Sequence, residues 1–110
     1  MMAIINPGEM RFQVGIEEPQ ATPDGAGGYS EGWLEIARVF AKIEPLAARD
    51  EFGAAQTLEE VSHRVTIRFR EDVESGMRLR RGARLFDILT AHDPDETGRY
   101  LVLRTKEKGR

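Results

Sequence analysis

The chain has 110 residues, of which 40% are hydrophobic and 32% charged, and its formal net charge is −3. This length fits one domain over residues 1–110 with a modest core, and the slightly acidic balance excludes a general electrostatic attraction to nucleic acid. The chain contains no cysteine, which excludes disulfide bonds, thiolate catalysis and cysteine-based zinc sites.

Neither end of the chain has the features of a targeting or membrane segment. A short apolar run ends at Asn6-Pro7-Gly8 without a preceding basic residue, so it does not fit a signal peptide. No apolar run approaches the roughly 18 residues that a membrane-spanning helix needs. We therefore expect a soluble protein made in the cytoplasm, with an N-terminal tail over residues 1–9 and a C-terminal tail over residues 107–110.

A first strand is predicted for Met10–Glu17, because apolar and polar residues alternate there. The next segment, Glu18–Gly28, contains two prolines and three glycines and almost no apolar residue. Such a segment buries too little surface to offset the entropy of ordering it, so we predict a flexible loop over residues 18–28.

Tyr29–Lys42 fits two patterns. A helix would place Trp33, Ile36 and Phe40 on one stripe, whereas a strand would alternate from Trp33 to Lys42. The flanking glycines and Val39 favour a long strand, but periodicity leaves both possibilities open.

The clearest element is Val61–Arg70, V-S-H-R-V-T-I-R-F-R, which alternates strictly over ten residues. Its β-branched and aromatic residues predict a strand with one buried face and one arginine-bearing face. Between Pro45 and this strand, residues 46–60 favour one short helix, broken near Gly53.

Three shorter strands complete the prediction, at Met77–Arg80, Leu85–Ala91 and Tyr100–Lys106, with polar turns between them. Counting Tyr29–Lys42 as a strand, the pattern indicates an all-β fold. We predict a small antiparallel barrel or sandwich of about six strands, with one short helix and a long flexible loop.

The sequence offers no catalytic constellation. His63 lies on the apolar face of its strand, where most histidines belong to a core or an interface. His92 precedes Asp93-Pro94-Asp95-Glu96, which is more typical of a solvated loop than of a metal site. Neither a phosphate-binding glycine motif nor a hydrolase nucleophile motif occurs. We predict no enzyme activity, no cofactor and no metal.

Arginines concentrate between residues 64 and 84. They could form a solvated face with cross-strand ion pairs, or they could contact DNA or a neighbouring subunit, because the planar guanidinium suits both phosphate and carboxylate. The cluster consists of Arg64, Arg68, Arg70, Arg78, Arg80, Arg81 and Arg84.

Three segments, in this order and spacing, carry a family resemblance: A-K-I-E-P at Ala41–Pro45, H-R-V-T-I-R-F-R at His63–Arg70, and G-M-R at Gly76–Arg78. Over roughly residues 10–105 the chain resembles the phage head–tail joining family. These are the head-closure, or stopper, proteins of long-tailed phages, prophages and gene transfer agents.

The resemblance implies a small β-barrel subunit of a hexameric or dodecameric ring. That ring would lie below the portal and adaptor proteins, above the tail terminator or tail tube. It would retain packaged DNA without sequence-specific binding and dock the tail, with no membrane partner, in a virion or gene transfer agent particle assembled in the host cytoplasm. The resemblance also favours a strand over a helix for Trp33–Lys42.

The resemblance further assigns a channel-gating role to the loop, over Glu18, Pro19, Asp24, Gly25, Gly27 and Gly28. Subunit contacts are expected at Arg64, Arg68, Arg70, Arg78, Arg80, Glu51 and Glu59. Two alternatives stay open. One is a tail terminator or other minor tail ring subunit. The other is a small OB-type nucleic-acid-binding barrel that would use Arg64, Arg68, Arg78 and Arg80, with Phe69 or Tyr100 as stacking platforms.

Overall fold

A computed structural model describes residues 7–46 and 61–109. A short 3-10 helix at Pro7–Glu9 precedes the strands. In chain order these are β1 (Phe12–Pro23), β2 (Tyr29–Pro45), β3 (His63–Arg68), β4 (Arg78–Arg81), β5 (Arg84–His92) and β6 (Tyr100–Glu107).

The strands close into a barrel in the order β1-β2-β3-β6-β5-β4, and all neighbours are antiparallel. The predicted all-β, antiparallel fold is therefore confirmed. Closure pairs both edges of every strand within the barrel body, which removes the open edges that a flat sheet would present.

The core is centred on β3. Ile67 faces Ala41 of β2 on one side and Leu101 of β6 on the other, while Val65 faces Leu103. These side chains are almost fully buried, as the strict alternation of the segment predicted. The predicted inner face of this strand is thus confirmed at its centre.

The end of β3 differs from the prediction. The strand ends at Arg68, and the amide of Phe69 still donates to the carbonyl of Arg99 on the other side of the last paired residues. Phe69 is 36% exposed, although the alternation placed it on the buried face. His63 at the other end is mostly buried, with its ring edge-on to Phe86 at 5.2 Å.

The C-terminal tail begins one residue later than predicted. Glu107 is the last residue of β6 and is buried. Its amide donates to the Ser62 hydroxyl, and Arg84 donates two hydrogen bonds to its carboxylate. At the N-terminus, the predicted tail contains the 3-10 helix Pro7–Glu9.

Two predicted segments between β1 and β3 have different outcomes. Tyr29–Lys42 is strand throughout and continues to Pro45, which confirms the strand alternative. The predicted helix over residues 46–60 lies outside the described residues, apart from Leu46.

The predicted flexible loop is wrong over Glu18–Pro23, which continues β1 and pairs residue by residue with Tyr29–Leu34. Only residues 24–28 form a turn. The low apolar content of this segment does not prevent strand formation, because the two strands of a hairpin are held by their backbone hydrogen bonds and do not require a buried side-chain face.

Candidate functional site

A two-stranded arm projects from the barrel, formed by residues 18–35. Beyond Glu17, β1 has lost its pairing with β4, and β2 pairs with β3 only from Ala41 onwards. Apart from Gly28, every residue from Pro19 to Glu35 is exposed. The longest dimension of the molecule is 54 Å, against 29 and 25 Å for the other two. The arm is therefore a solvent-exposed extension of the barrel wall.

The two prolines of the arm occupy positions that an edge strand tolerates. The amide of Asp24 donates across the ladder to the carbonyl of Gly28. Along this part of β1, the backbone amides of even-numbered residues therefore point to β2, and those of odd-numbered residues point away from it. Pro19 and Pro23 are both odd-numbered, and the amide hydrogens they lack would have pointed to solvent. They therefore leave the hairpin ladder intact and make this edge a poor template for another strand.

The tip of the arm is an ordered turn. The Asp24 carboxylate accepts hydrogen bonds from the amides of Ala26 (2.8 Å) and Gly28 (3.1 Å). Gly25 and Gly27 have φ values of 83° and 88°, a backbone region that disfavours residues with a Cβ atom. The hydrogen bonds from Ala26 and Gly28 also hold the pKa of Asp24 below its usual value.

Replacing Asp24 by alanine should loosen this turn, because the amides of Ala26 and Gly28 lose their acceptor. We expect faster hydrogen exchange at these two amides, measured by NMR, with the barrel amides unchanged. Asp24→Asn should preserve most of the protection, since its amide oxygen can still accept. Equal exchange in the alanine variant and the parent chain would contradict this account of the tip.

The base of the arm is fixed by a buried ionic network. Glu17 accepts hydrogen bonds from Arg78 (2.6 Å) and Arg80 (2.9 Å), and the Arg78 guanidinium lies 4.0 Å from the ring centre of Trp33. The ladder shifts register here: Ile16 faces Ala37 while Glu17 faces Glu35, which leaves an extra residue in β2. Such a bulge bends the strand and sets the direction in which the arm leaves the barrel.

Burial alone would raise the pKa of Glu17, but the hydrogen bonds and positive charges of Arg78 and Arg80 outweigh it and lower the pKa. Glu17 is therefore ionised at neutral pH and ties β1 to β4. Arg78 connects the same carboxylate to Trp33 on the arm, so this network couples the orientation of the arm to the barrel.

A shallow groove of about 320 Å³ lies beside the base of the arm, where β3 diverges from β2. We call it the basal groove. Two of its aromatic side chains are exposed, Phe40 by 58% and Phe69 by 36%. Its complete lining is Met10, Val39, Phe40, Arg68, Phe69 and Arg70.

Comparison with known families shows to which family the chain belongs. Residues 5–108 match the family model described as phage head completion protein. The chain belongs to the phage head completion protein family. The resemblance found in the sequence is thereby confirmed, and the family is one of structural virion proteins. This head completion protein is accordingly a head–tail structural component of a phage-type particle, in which it interacts with other particle proteins.

Two solved structures are similar to this head completion protein. A solution structure of a Shigella flexneri 2a protein has 21% identity and a TM-score of 0.76, covering 96% of this chain and 99% of that one. A chain from the virion of a native gene transfer agent particle has 25% identity and a TM-score of 0.60, covering 86% and 92% respectively. Among curated proteins, none matches this chain.

The arm of the head completion protein carries all the residues predicted for the gating loop. Glu18 and Pro19 lie on β1, and Asp24 begins the turn. The three predicted glycines, Gly25, Gly27 and Gly28, lie at the tip. The structure thus brings the six residues together on one projection, with the first two in a strand instead of a loop.

Most of the arginines predicted to face a neighbour bind carboxylates of their own chain. Arg64 pairs with Glu44 at 3.2 Å and Arg70 with Asp72 at 2.8 Å, while Arg78 and Arg80 share Glu17. Among the described residues, Arg68 has no such partner. The predicted contacts Glu51 and Glu59 lie outside the described part of the chain.

The sequence reasoning missed the base of the arm and the basal groove. Glu17 and Arg78 are 61 residues apart, so no local pattern indicated their pairing. A usable signal did exist for the arm, because Pro19, Ala21 and Pro23 alternate with Gln20 and Thr22 at period two, one residue out of phase with the apolar residues of the first strand.

Two features are absent from the residues that the structure describes. No helix among them is long and apolar enough to span a membrane. Nor do they contain a cluster of three or more histidine or carboxylate side chains that could hold a metal ion.

Proposed function

We propose that this head completion protein is a stopper subunit. In this proposal a hexameric or dodecameric ring lies below the portal and adaptor proteins, retains packaged DNA and docks the tail. The observation that supports it best is the arm, a structured projection from a closed barrel in a chain of this family.

The exposure of the arm supports a role in an assembly. A two-stranded hairpin that is covered by other elements only at its base is marginally stable in water. Tyr29 is 69% exposed, Leu34 44% and Trp33 38%, so the arm presents apolar surface to solvent. Surface of this kind gains stability when a partner covers it.

The charge of the arm supports passage of DNA without binding. From Phe12 to Ala37 the charged residues are all acidic: Glu17, Glu18, Asp24, Glu31 and Glu35. An acidic projection repels phosphates, so DNA could slide past it during ejection. The tip itself consists mainly of glycine, which lets it approach a neighbouring copy closely.

The OB-type alternative has less support. Binding of single-stranded nucleic acid needs free cations beside stacking platforms, whereas three of the four arginines that this alternative would use are occupied by carboxylates of the same chain: Arg64, Arg78 and Arg80. Only the fourth, Arg68, lies beside an exposed aromatic ring without such a partner among the described residues. A tail-terminator role would use similar surfaces, and the head completion family match favours the head side of the joint.

Shortening the arm tests the proposal. Gln20 and Gly32 face each other in the ladder, so replacing residues 21–31 by Asn-Gly closes the hairpin with a tight turn and preserves the contact of Trp33 with Arg78. The barrel should keep its thermal stability, because the removed residues contribute nothing to the core. Particles carrying the variant should lose nuclease-protected DNA, as measured by quantitative PCR.

The control is Thr22→Ala, which changes an arm side chain outside the predicted gating residues and preserves the length of the arm, and it should retain DNA. Normal DNA retention and normal tail joining by the shortened variant, with the ring visible by electron microscopy, would contradict a stopper role for the arm.

A further inference from the structure

We propose that the arm of one copy docks in the basal groove of the next copy, with Glu31 of the arm facing Arg68 of the groove. This inference rests on the proposed ring and specifies which two surfaces of the chain form it. The occupant is a second copy of this chain, chosen because the two surfaces are complementary in chemistry and charge.

The arm has two different faces. Residues that pair across the hairpin share a face, so Pro19, Ala21 and Pro23 lie with Tyr29, Glu31 and Trp33. The opposite face carries the more polar Glu18, Gln20, Thr22 and Ser30, together with Gly32 and Leu34. A groove of about 370 Å³ on the arm is lined mainly by the first set. We call this first set the apolar arm face.

The basal groove matches that face in chemistry. It offers two exposed aromatic rings, those of Phe40 and Phe69, beside Met10 and Val39. Proline and tyrosine side chains pack well on such rings, and an interface core of this composition is typical of protein–protein contacts. Pro23 and Tyr29, at the far end of the apolar arm face, therefore suit the groove.

The charges of the two surfaces are opposite. The side chains of Arg68 in the groove and Glu31 on the apolar arm face each make no ion pair or hydrogen bond with any residue of the described ranges, 7–46 and 61–109. Both lie next to the apolar groups that would be buried. Pairing them across an interface fixes register, whereas a like charge at either position would oppose docking.

The contact also has the geometry of a ring. The arm extends away from its own barrel, so Tyr29 lies roughly 30 Å along β2 from Val39 in the groove of the same chain. An arm therefore cannot reach its own groove, and the contact joins two different surfaces of two copies. Head-to-tail contacts of this type generate closed rings when the rotation between subunits allows closure.

Disulfide trapping tests the contact, because the chain has no native cysteine. The variant carries Tyr29→Cys and Phe69→Cys together and is purified within assembled particles. These positions are far beyond the separation of about 7 Å that a disulfide within one chain could bridge. Oxidation should give a ladder of covalent multimers on a non-reducing gel, and neither single-cysteine variant should form more than a dimer.

Charge reversal in the same background tests the register. Glu31→Arg and Arg68→Glu should each lower the yield of the ladder by about tenfold or more, and the double reversal should restore it. Glu18→Arg makes the same charge change on the opposite face of the arm and should leave the ladder intact.

The possible outcomes separate the two proposals. A ring seen by electron microscopy without any ladder would overturn the docking contact and leave the stopper proposal standing. Absence of both the ring and the ladder would overturn both. A ladder that is unaffected by the charge reversals would contradict the pairing of Glu31 with Arg68.

Discussion

Val65→Asp and Ile67→Asp are each expected to abolish soluble, folded protein. Both side chains are fully buried at the centre of the barrel, where Ile67 faces Ala41 and Leu101. A carboxylate there would have no counter-ion and would lose its hydration, at a cost of several kcal/mol. A domain of this size has a free energy of unfolding of only about 5–15 kcal/mol.

The matched control for these variants is Arg68→Asp, which places the same side chain at an exposed position of the same strand. It should express and melt like the parent chain, as measured by circular dichroism. Soluble, cooperatively melting Val65→Asp protein would mean that the faces of β3 are assigned the wrong way round.

Glu17→Ala is expected to cause the second-largest loss of stability. The substitution leaves Arg78, whose side chain is only 11% exposed, without its carboxylate. Removing one partner of a buried ion pair costs roughly 3 kcal/mol, because the remaining charge stays desolvated. The melting temperature should fall by roughly 10 to 20 °C.

Glu18→Ala is the control for this substitution. Glu18 is the next residue along β1, is less buried and makes no ion pair with the described residues, so its removal should change the free energy of unfolding by less than about 0.5 kcal/mol. Equal effects of the two alanine variants in denaturant titrations would show that the network at the base of the arm does not stabilise the fold.

The Glu17 network also predicts a dependence of stability on acid. Because the pKa of Glu17 is lower in the folded chain than its ordinary value of 4.5, its contribution is fully present above that pH. The contribution is lost as the pH falls through the folded-state pKa. Between about pH 5 and pH 2, Glu17→Gln should therefore lose less unfolding free energy than the parent chain does. Parallel losses in the two proteins would contradict the lowered pKa.

The barrel could be predicted from the sequence because burial leaves a periodic signal. Val65 and Ile67 alternate with polar residues, and the same pattern places each end of β4, β5 and β6 within one residue of its position in the structure. Tyr29–Lys42 was ambiguous since the strand β2 is exposed on both sides along the arm. Without a buried face, no periodicity separates a strand from a helix there.

For the first part of the arm, residues 18–28, the sequence predicts a loop, because prolines and glycines are typical of disordered segments. The structure shows why this inference fails for a hairpin edge: Pro19 and Pro23 lack only amides that would have pointed to solvent. The ion pairs at the base of the arm could not be predicted from the sequence for a different reason. Glu17 meets Arg78 only because β1 and β4 become neighbours when the barrel closes.

The position of the arm in the particle is the central claim, and electron microscopy of the native particle tests it most directly. With a tag at the C-terminus to locate each subunit, the account predicts a ring of barrels between portal and tail. The acidic arms would line the channel, each with its far end in the basal groove of its neighbour. Density elsewhere in the particle, or barrels whose arms point away from the channel, would contradict it.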